Sequence, residues 1–444
     1  RVFISDRNTR DTVIQGYYRP QDNVYSARAK LQRVHMSLIQ PFLTDIISDI
    51  HGTADIEASI RGKGRQAELN GHGIVDSLSM LVDYTNTRYF VPRGVVTIEN
   101  NHIKADKILV KDAENNEGQY TMDIDLSRLT NVSYYIDINA DNMLVFDTDS
   151  KHNDLFYGHV YASGKANFRG DNKGMKMDIE ASSEPNSTFF MPLSGKEDVT
   201  YADFIRFKEP ERESVKSTGF LTERIEAKSN FKRNTNTSSG GMDISIALNV
   251  HPNIEAQLVI DPTVGDVIKG KGRGKLSMHI VPDTEVFEMS GDITLTEGTY
   301  LFTFQNIINK LFKVVEGSTI SWNGDPMGAE LNIDAVYSTK ASLKPLLGNA
   351  IEGIDVSRAV PVDCYIKLTG PLTSPQVDFD IDVTNVAPEI QVVLNSVLND
   401  QQAIATQLVW LLTANSFSAE DTGAMGASLS ATTGFELLSS RLSN

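Results

Sequence analysis

Gly291-Asp292-Ile293-Thr294-Leu295-Thr296-Glu297-Gly298-Thr299-Tyr300-Leu301-Phe302-Thr303-Phe304 opens the stretch on which the fold turns. It continues as Phe312-Lys313-Val314-Val315-Glu316-Gly317-Ser318-Thr319-Ile320-Ser321-Trp322-Asn323-Gly324-Asp325-Pro326 and closes as Ala329-Glu330-Leu331-Asn332-Ile333-Asp334-Ala335-Val336-Tyr337. Side chains along a β-strand alternate between two faces, and here the alternation sorts the chemistry. Ile293 and Leu295 share one face, as do Leu331, Ile333, Ala335 and Tyr337. Asp292, Thr294 and Thr296 take the opposite face, and so do Glu330, Asn332 and Asp334. Glycines fall where one strand is expected to turn into the next. The stretch reads as a meander with one apolar side and one polar side.

The pattern extends in both directions. Downstream, Ile366 and Leu368 continue it, and Val377, Phe379 and Ile381 face away from Asp378, Asp380 and Asp382. Upstream, Leu276 and Met278, Leu258 and Ile260, Ile244, Ile246 and Leu248, and Tyr134, Ile136 and Ile138 each share a face. Three glycine-bounded units, Gly52 to Gly62, Gly158 to Gly170 and Gly270 to Ile280, are alike in pattern and suggest a stacked β repeat. Near the start, Thr12-Val13-Ile14 and Val34 to Ile39 read as short strands, and Phe42, Ile46, Ile47 and Ile50 as one side of a short helix over Pro41 to Ile50.

Two regions break the period. Residues 208–241 begin Lys208-Glu209-Pro210-Glu211-Arg212-Glu213 and end in a Ser/Gly-rich run, which reads as a mobile insertion between strands. After Pro388 the period becomes helical. Ile390, Val393, Leu394 and Val397 form one stripe, and Asp400 is placed to cap a second helix bearing Ile404, Leu408, Leu411 and Leu412. Phe435-Glu436-Leu437-Leu438 starts a third. The expected organisation is an elongated β region over 1–387 and a helical segment over 388–444, which either caps the sheet or docks a partner.

Composition narrows the function. The chain has 444 residues, 40% hydrophobic and 22% charged, with a net charge of −17. An acidic chain without a Lys/Arg run repels nucleic acid and anionic membrane surfaces. The one cysteine, Cys364, excludes an internal disulfide framework and sits on the apolar side with Val362, Ile366 and Leu368, as a buried structural thiol. The chain opens Arg1-Val2-Phe3-Ile4 with no Met, so it reads as a fragment of something longer. No apolar run reaches the roughly 20 residues of a membrane-spanning helix, which puts any anchor outside it.

Catalytic chemistry has no purchase on this sequence. Gly270 to Ser277 fails the spacing of a phosphate loop. Asp137-Ile138-Asn139-Ala140-Asp141-Asn142 begins like a calcium loop but runs on as a strand through Met143-Leu144-Val145-Phe146. The Asp378, Asp380 and Asp382 ladder fits the polar face of a strand, and the eight histidines show no metal-ligand spacing. Neither an enzyme nor a cofactor or metal is expected.

The apolar face has two explanations. It is the core of a sandwich or closed β-helix, or it lines a sheet that curls without closing. About 20–30 strands at roughly 4.8 Å each give a rod of about 100–140 Å. An open trough on such a rod would expose more apolar surface than a monomer tolerates, and acyl chains would fill it at about 25 cal/mol per Å².

From about Glu255 the chain resembles the TamB C-terminal domain family, of the AsmA-like superfamily of Gram-negative envelopes. The likeness rests on Asp261-Pro262-Thr263-Val264-Gly265-Asp266, Gly270 to Gly274, Gly298-Thr299-Tyr300-Leu301-Phe302, Glu316-Gly317-Ser318-Thr319-Ile320-Ser321-Trp322 and Gly324-Asp325-Pro326. Leu331 to Tyr337, Gln407-Leu408-Val409-Trp410-Leu411-Leu412 and Asn415-Ser416-Phe417 complete it. The resemblance implies an all-β, elongated curled sheet (a β-taco) with an apolar interior groove and a short α-helical C-terminal segment. It implies a periplasmic lipid conduit, holding phospholipid acyl chains between inner and outer membranes. The alternative is a scaffold for outer-membrane protein assembly. It also implies an inner-membrane anchor before Arg1 and an outer-membrane assembly barrel of the TamA type as partner. The groove lining expected is Ile244, Ile246, Leu248, Leu258, Ile260, Leu276, Met278, Ile293, Leu295, Leu331, Ile333, Ala335, Tyr337, Ile366, Leu368, Val377, Phe379 and Ile381. The partner-binding residues expected are Leu408, Trp410, Leu411, Leu412 and Phe417.

Overall fold

A computed structural model describes residues 2–5, 13–42, 47–128, 131–151, 156–192, 241–261, 266–284, 286–304, 308–348, 355–372 and 375–418. Among the described residues the fold is predominantly β, with 21 strands in one curled sheet and a few short C-terminal helices. Strands β1 (Val2–Ser5), β2 (Val13–Arg19), β3 (Val24–His35), β4 (Ile47–Lys63), β5 (Gln66–Val82), β6 (Thr87–Glu99), β7 (His102–Asp112), β8 (Glu117–Asp125), β9 (Ser133–Thr148) and β10 (Tyr157–Asp171) pair antiparallel in chain order. The next rung is split between β11 (Gly174–Ser183) and β12 (Thr188–Pro192), both on β10.

The ladder then turns parallel once. β13 (Gly241–Val250) lies on β11, and β14 (Glu255–Asp261) on β12. A parallel step needs a long return connection, whereas a hairpin needs two residues, and the chain between Pro192 and Gly241 provides the return. The insertion expected at 208–241 falls here; up to residue 240 it lies outside the described residues. β15 (Asp266–Val281), β16 (Val286–Phe304), the split rung β17 (Ile308–Val314) with β18 (Thr319–Gly324), β19 (Glu330–Ser342), β20 (Ala359–Pro371) and β21 (Gln376–Val383) resume the antiparallel order. Three pairs of the 21 strands share a rung, leaving eighteen rungs. At about 4.8 Å per rung the ladder is about 80 Å long, shorter than the strand signals alone suggest because each split rung reads as two strands.

The sheet carries irregular residues at several of its strands. Arg33, Lys107 and Asn142 adopt left-handed φ of 51°, 48° and 48° inside β3, β7 and β9. Each sits at a slip in register. A bulge leaves one amide unpaired and bends its strand. Here each amide finds a side chain across the ladder: Arg33 N donates to Asp55 Oδ1 at 2.7 Å, Lys107 N to Thr121 Oγ1 at 3.2 Å and Asn142 N to Ser163 Oγ at 2.8 Å. Serines take over this role where the rungs split. Tyr161 N donates to Ser187 Oγ at 3.0 Å, His251 N to Ser183 Oγ at 2.9 Å and Asp334 N to Ser318 Oγ at 3.1 Å.

Several local expectations change. Ile47 and Ile50 belong to β4, and the helix before them is a 3-10 turn, Met36–Phe42. Gly291 and Gly298 lie inside β16, so the 19-residue strand passes through them; Gly317 and Gly324, with φ of 96° and 117°, do mark turns. A short helix α1 (Lys344–Leu347) follows β19, and α2 (Pro388–Val397) and α3 (Gln401–Ala414) follow β21. Asp400 caps α3, accepting from Ala403 N at 2.7 Å. The helix expected from Phe435 lies outside the described residues.

Candidate functional site

Three apolar rows run along the inner face, built residue by residue from the register. Tyr120, Ile138, Ala166, Ile179, Ile246, Met278 and Met289 stand side by side from β8 to β16. Met122, Ile136, Phe168, Met177, Ile244, Ile280 and Phe287 form a second row. Ala140, Gly164, Ala181, Leu248 and Leu276 form a third. Most are half-buried. Ile136, Ile138, Phe168, Met177, Ile179, Ile244, Ile246, Leu248, Leu276 and Met278 belong to neither of the two buried clusters found among the described residues. The strip spans seven rungs, about 30 Å.

β15 has an unusual inner face. Its inward positions run Ile268, Gly270, Gly272, Gly274, Leu276, Met278 and Ile280, while Lys269, Lys271, Arg273, Lys275 and His279 take the outer one. The glycines leave room that neighbours occupy. A Cβ on Gly272 would lie 2.9 Å from the Ile293 side chain, and one on Gly270 would lie 3.3 Å from Leu295. Ile293 and Leu295 therefore lean across the glycine row, where the half-buried strip gives way to a closed core.

Beyond β16 the same alternation is covered. Ile333, Leu368 and Val377 align across β19, β20 and β21, as do Ala335, Ile366 and Phe379, and Tyr337, Cys364 and Ile381. Ile333, Ala335, Cys364 and Ile366 are 0% exposed. Ile390 and Leu394 of α2, Ile404, Leu408, Leu411 and Leu412 of α3, and Phe417 belong to the same cluster, which also takes in Leu295 and Leu331 with Leu258, Ile293 and Tyr337 partly buried against it. α3 lies from β21 back to β17. Gln401 fastens it to the free edge of the sheet: Phe379 N donates to Gln401 Oε1 at 3.0 Å, and Gln401 Nε2 to Phe379 O at 3.1 Å. Thr339 Oγ1 also donates to Asn415 Oδ1 at 3.2 Å.

The expected groove lining thus divides between two environments. Ile244, Ile246, Leu248, Leu276 and Met278 stand in the half-buried strip. Leu331, Ile333, Ala335, Ile366, Leu368, Val377, Phe379 and Ile381 lie in the closed core. Ile260 falls in β14 beside Leu258. Of the expected partner residues, Leu408, Leu411, Leu412 and Phe417 are turned into the core, and Trp410 is half-buried. The sequence reading passed over Ala166, Phe168, Met177 and Ile179, although Met175-Lys176-Met177-Asp178-Ile179-Glu180-Ala181 carries the same alternation.

Beside the three rows, charge is kept to the outer face. Arg169 pairs with Asp178 at 2.7 Å, Lys271 with Glu297 at 2.5 Å, His279 with Asp243 at 3.1 Å and Lys367 with Asp380 at 3.6 Å. The hydrogen bond from Lys271 holds the Glu297 carboxyl below its ordinary range, and Glu297 in turn holds Lys271 above its own. Burial pushes the Cys364 thiol up to about 12, which keeps it inert at neutral pH. Among the described residues no group of three or more His, Cys, Asp or Glu side chains is placed to hold a metal, and no helix is long and apolar enough to cross a membrane.

A family model described as TamB C-terminal domain matches residues 105–444, more than half of the chain. No curated protein matches it.

Proposed function

The chain belongs to the TamB C-terminal domain family, and on that footing we propose that it is a lipid-holding segment of a conduit between the two membranes of a bacterial envelope. Acyl chains lie against the three inner rows, and headgroups stay at the open side in water. The observation that carries this reading is the register itself: apolar residues stay side by side over seven rungs while most of them remain only half-buried. A strip about 30 Å long exceeds the depth of one leaflet, about 15 Å. Hydrocarbon placed there gains about 25 cal/mol per Å² removed from water. The inner-membrane anchor outside residues 1–444 and the TamA-type barrel at the far end belong to the same proposal.

Native mass spectrometry with lipid extraction tests it. Phospholipid should travel with the purified chain and be lost from a folded Ile246→Asp variant. A well-folded wild-type chain free of lipid would overturn the reading.

One observation favours a second reading, a scaffold for outer-membrane protein assembly. Between residues 388 and 418 the charged residues are Glu389 and Asp400, and Val392 is 70% exposed. Depletion of charge is a mark of protein interface cores. If the outer face of the helices meets a barrel, Val392→Lys weakens barrel binding and leaves lipid content unchanged; unchanged barrel binding discards this reading.

A further inference from the structure

The closed end and the open strip are made of the same surface. Each is the inner face of one sheet, apolar at every second residue and continuous in register. They differ in what lies on top. Over β19 to β21 the cover includes Leu394, Leu408, Leu411, Leu412 and Phe417, all pure hydrocarbon and supplied by the chain itself.

We propose that these last rungs are a second acyl-chain site, occupied in this structure by α2 and α3, which lipid displaces. The inference rests on the lipid-holding reading of the open strip. Hydrophobic burial is non-directional and follows apolar area, so an acyl chain and a leucine-rich helix face compete for the sheet nearly like for like. What holds the helices in place beyond that is a small set of polar contacts: the Gln401 clasp on Phe379 and the bond between Thr339 and Asn415. α3 carries no charged residue, so no ion pair has to break within it when it leaves. The device lets the end of the groove stay dry while empty and open to cargo arriving along the inner face.

The test uses the full chain and a phospholipid carrying a photoreactive acyl chain, with labelled peptides mapped by mass spectrometry. Thr339→Cys combined with Asn415→Cys lets a short bis-maleimide tether the helices to β19. Both substitutions are made in a Cys364→Ala background, because Cys364 lies in the rungs that open. In the untethered protein, label should appear both on β11 to β13 and on β19 to β21. Tethering should cut the terminal label at least tenfold and leave the upstream label as it was. Gln401→Ala, which removes only the clasp, should raise the terminal label severalfold. Terminal label that is the same with and without the tether overturns the proposal, and so does its absence from both the untethered protein and Gln401→Ala. If β11 to β13 take no label in any variant, the lipid-holding reading itself fails, and this inference fails with it.

Discussion

β11 to β13 and β19 to β21 follow one rule of sequence and end in two environments. Ile179, Ile246 and Met278 alternate with polar residues as strictly as Ile333, Leu368 and Val377 do. The first three remain half-buried, and the second three lie in a sealed core. The strands did not decide this. A strand presents one face, and burial depends on the layer that comes to meet it. Among the described residues that layer is helical and lies over the last rungs. The lesson concerns function as much as stability: at the covered end a substitution reports folding, and at the open stretch it reports what binds there.

The sharpest way to break the comparison is to place a carboxylate in each region. Ile333→Asp leaves an unpaired charge where the side chain is 0% exposed, at a cost of about 3–5 kcal/mol, and should unfold the C-terminal end. Ile246→Asp can keep its carboxylate in water and should change stability by about 1 kcal/mol or less. Thermal unfolding of the two variants checks both. Equal losses would mean that the strip is covered after all.

A gentler pair follows. Leu411→Ala deletes a side chain at 0% exposure and should cost about 2–5 kcal/mol, whereas Leu248→Ala should cost less than half as much. Cys364 provides a local reading of the same difference. It sits between Tyr337 and Ile381 in the closed core, so a thiol reagent reaches it only when that end opens. Leu411→Ala should speed its labelling, and Leu248→Ala should leave the rate unchanged.

Sequence carried the strand faces well, because period-two alternation is a local signal. Ile293 with Leu295, and Leu331 with Ile333 and Ala335, are paired by their spacing alone. The all-β architecture was legible for the same reason, the Asp400 cap from its place ahead of a helical stripe, and the curl of the sheet only through the resemblance to the TamB C-terminal domain family. Contacts between distant segments were not. Nothing local in Leu408 or Phe417 says that they turn toward β19 to β21. Nothing in Gln401 says that its amide meets the backbone of Phe379, 22 residues earlier. The parallel step at β13 was hidden because a strand reads the same in either direction. The missed rows at Phe168 and Met177 are a different failure, since their alternation was plain. Methionines and alanines among charges make a weak stripe beside runs of Ile and Leu.

The helical cover can also be weakened from outside its core. Asp400→Ala removes the bond to Ala403 N and should destabilise α3 by about 0.5–2 kcal/mol. Because α3 seals only the last rungs, Cys364 labelling should rise while lipid carried by the open strip stays the same. A matching loss of lipid would tie the two regions together more closely than their packing suggests.

The smallest effect lies on the outer face, which both regions share. Glu297 is held below its ordinary value of 4.5, first by its hydrogen bond from Lys271. A carboxylate whose folded pKa is depressed stabilises fully above its unfolded value, and the contribution is lost as pH falls through the folded one. The Tm difference between wild type and Glu297→Gln should therefore be present near neutral pH and close below about pH 4.5. Salt should shrink it, since the pair is solvent-exposed. The inner rows carry no charge, so the cost of Leu411→Ala should persist through that pH range and resist salt. A contrast in response to acid would separate the two faces of one sheet, as the carboxylate substitutions separate its two ends.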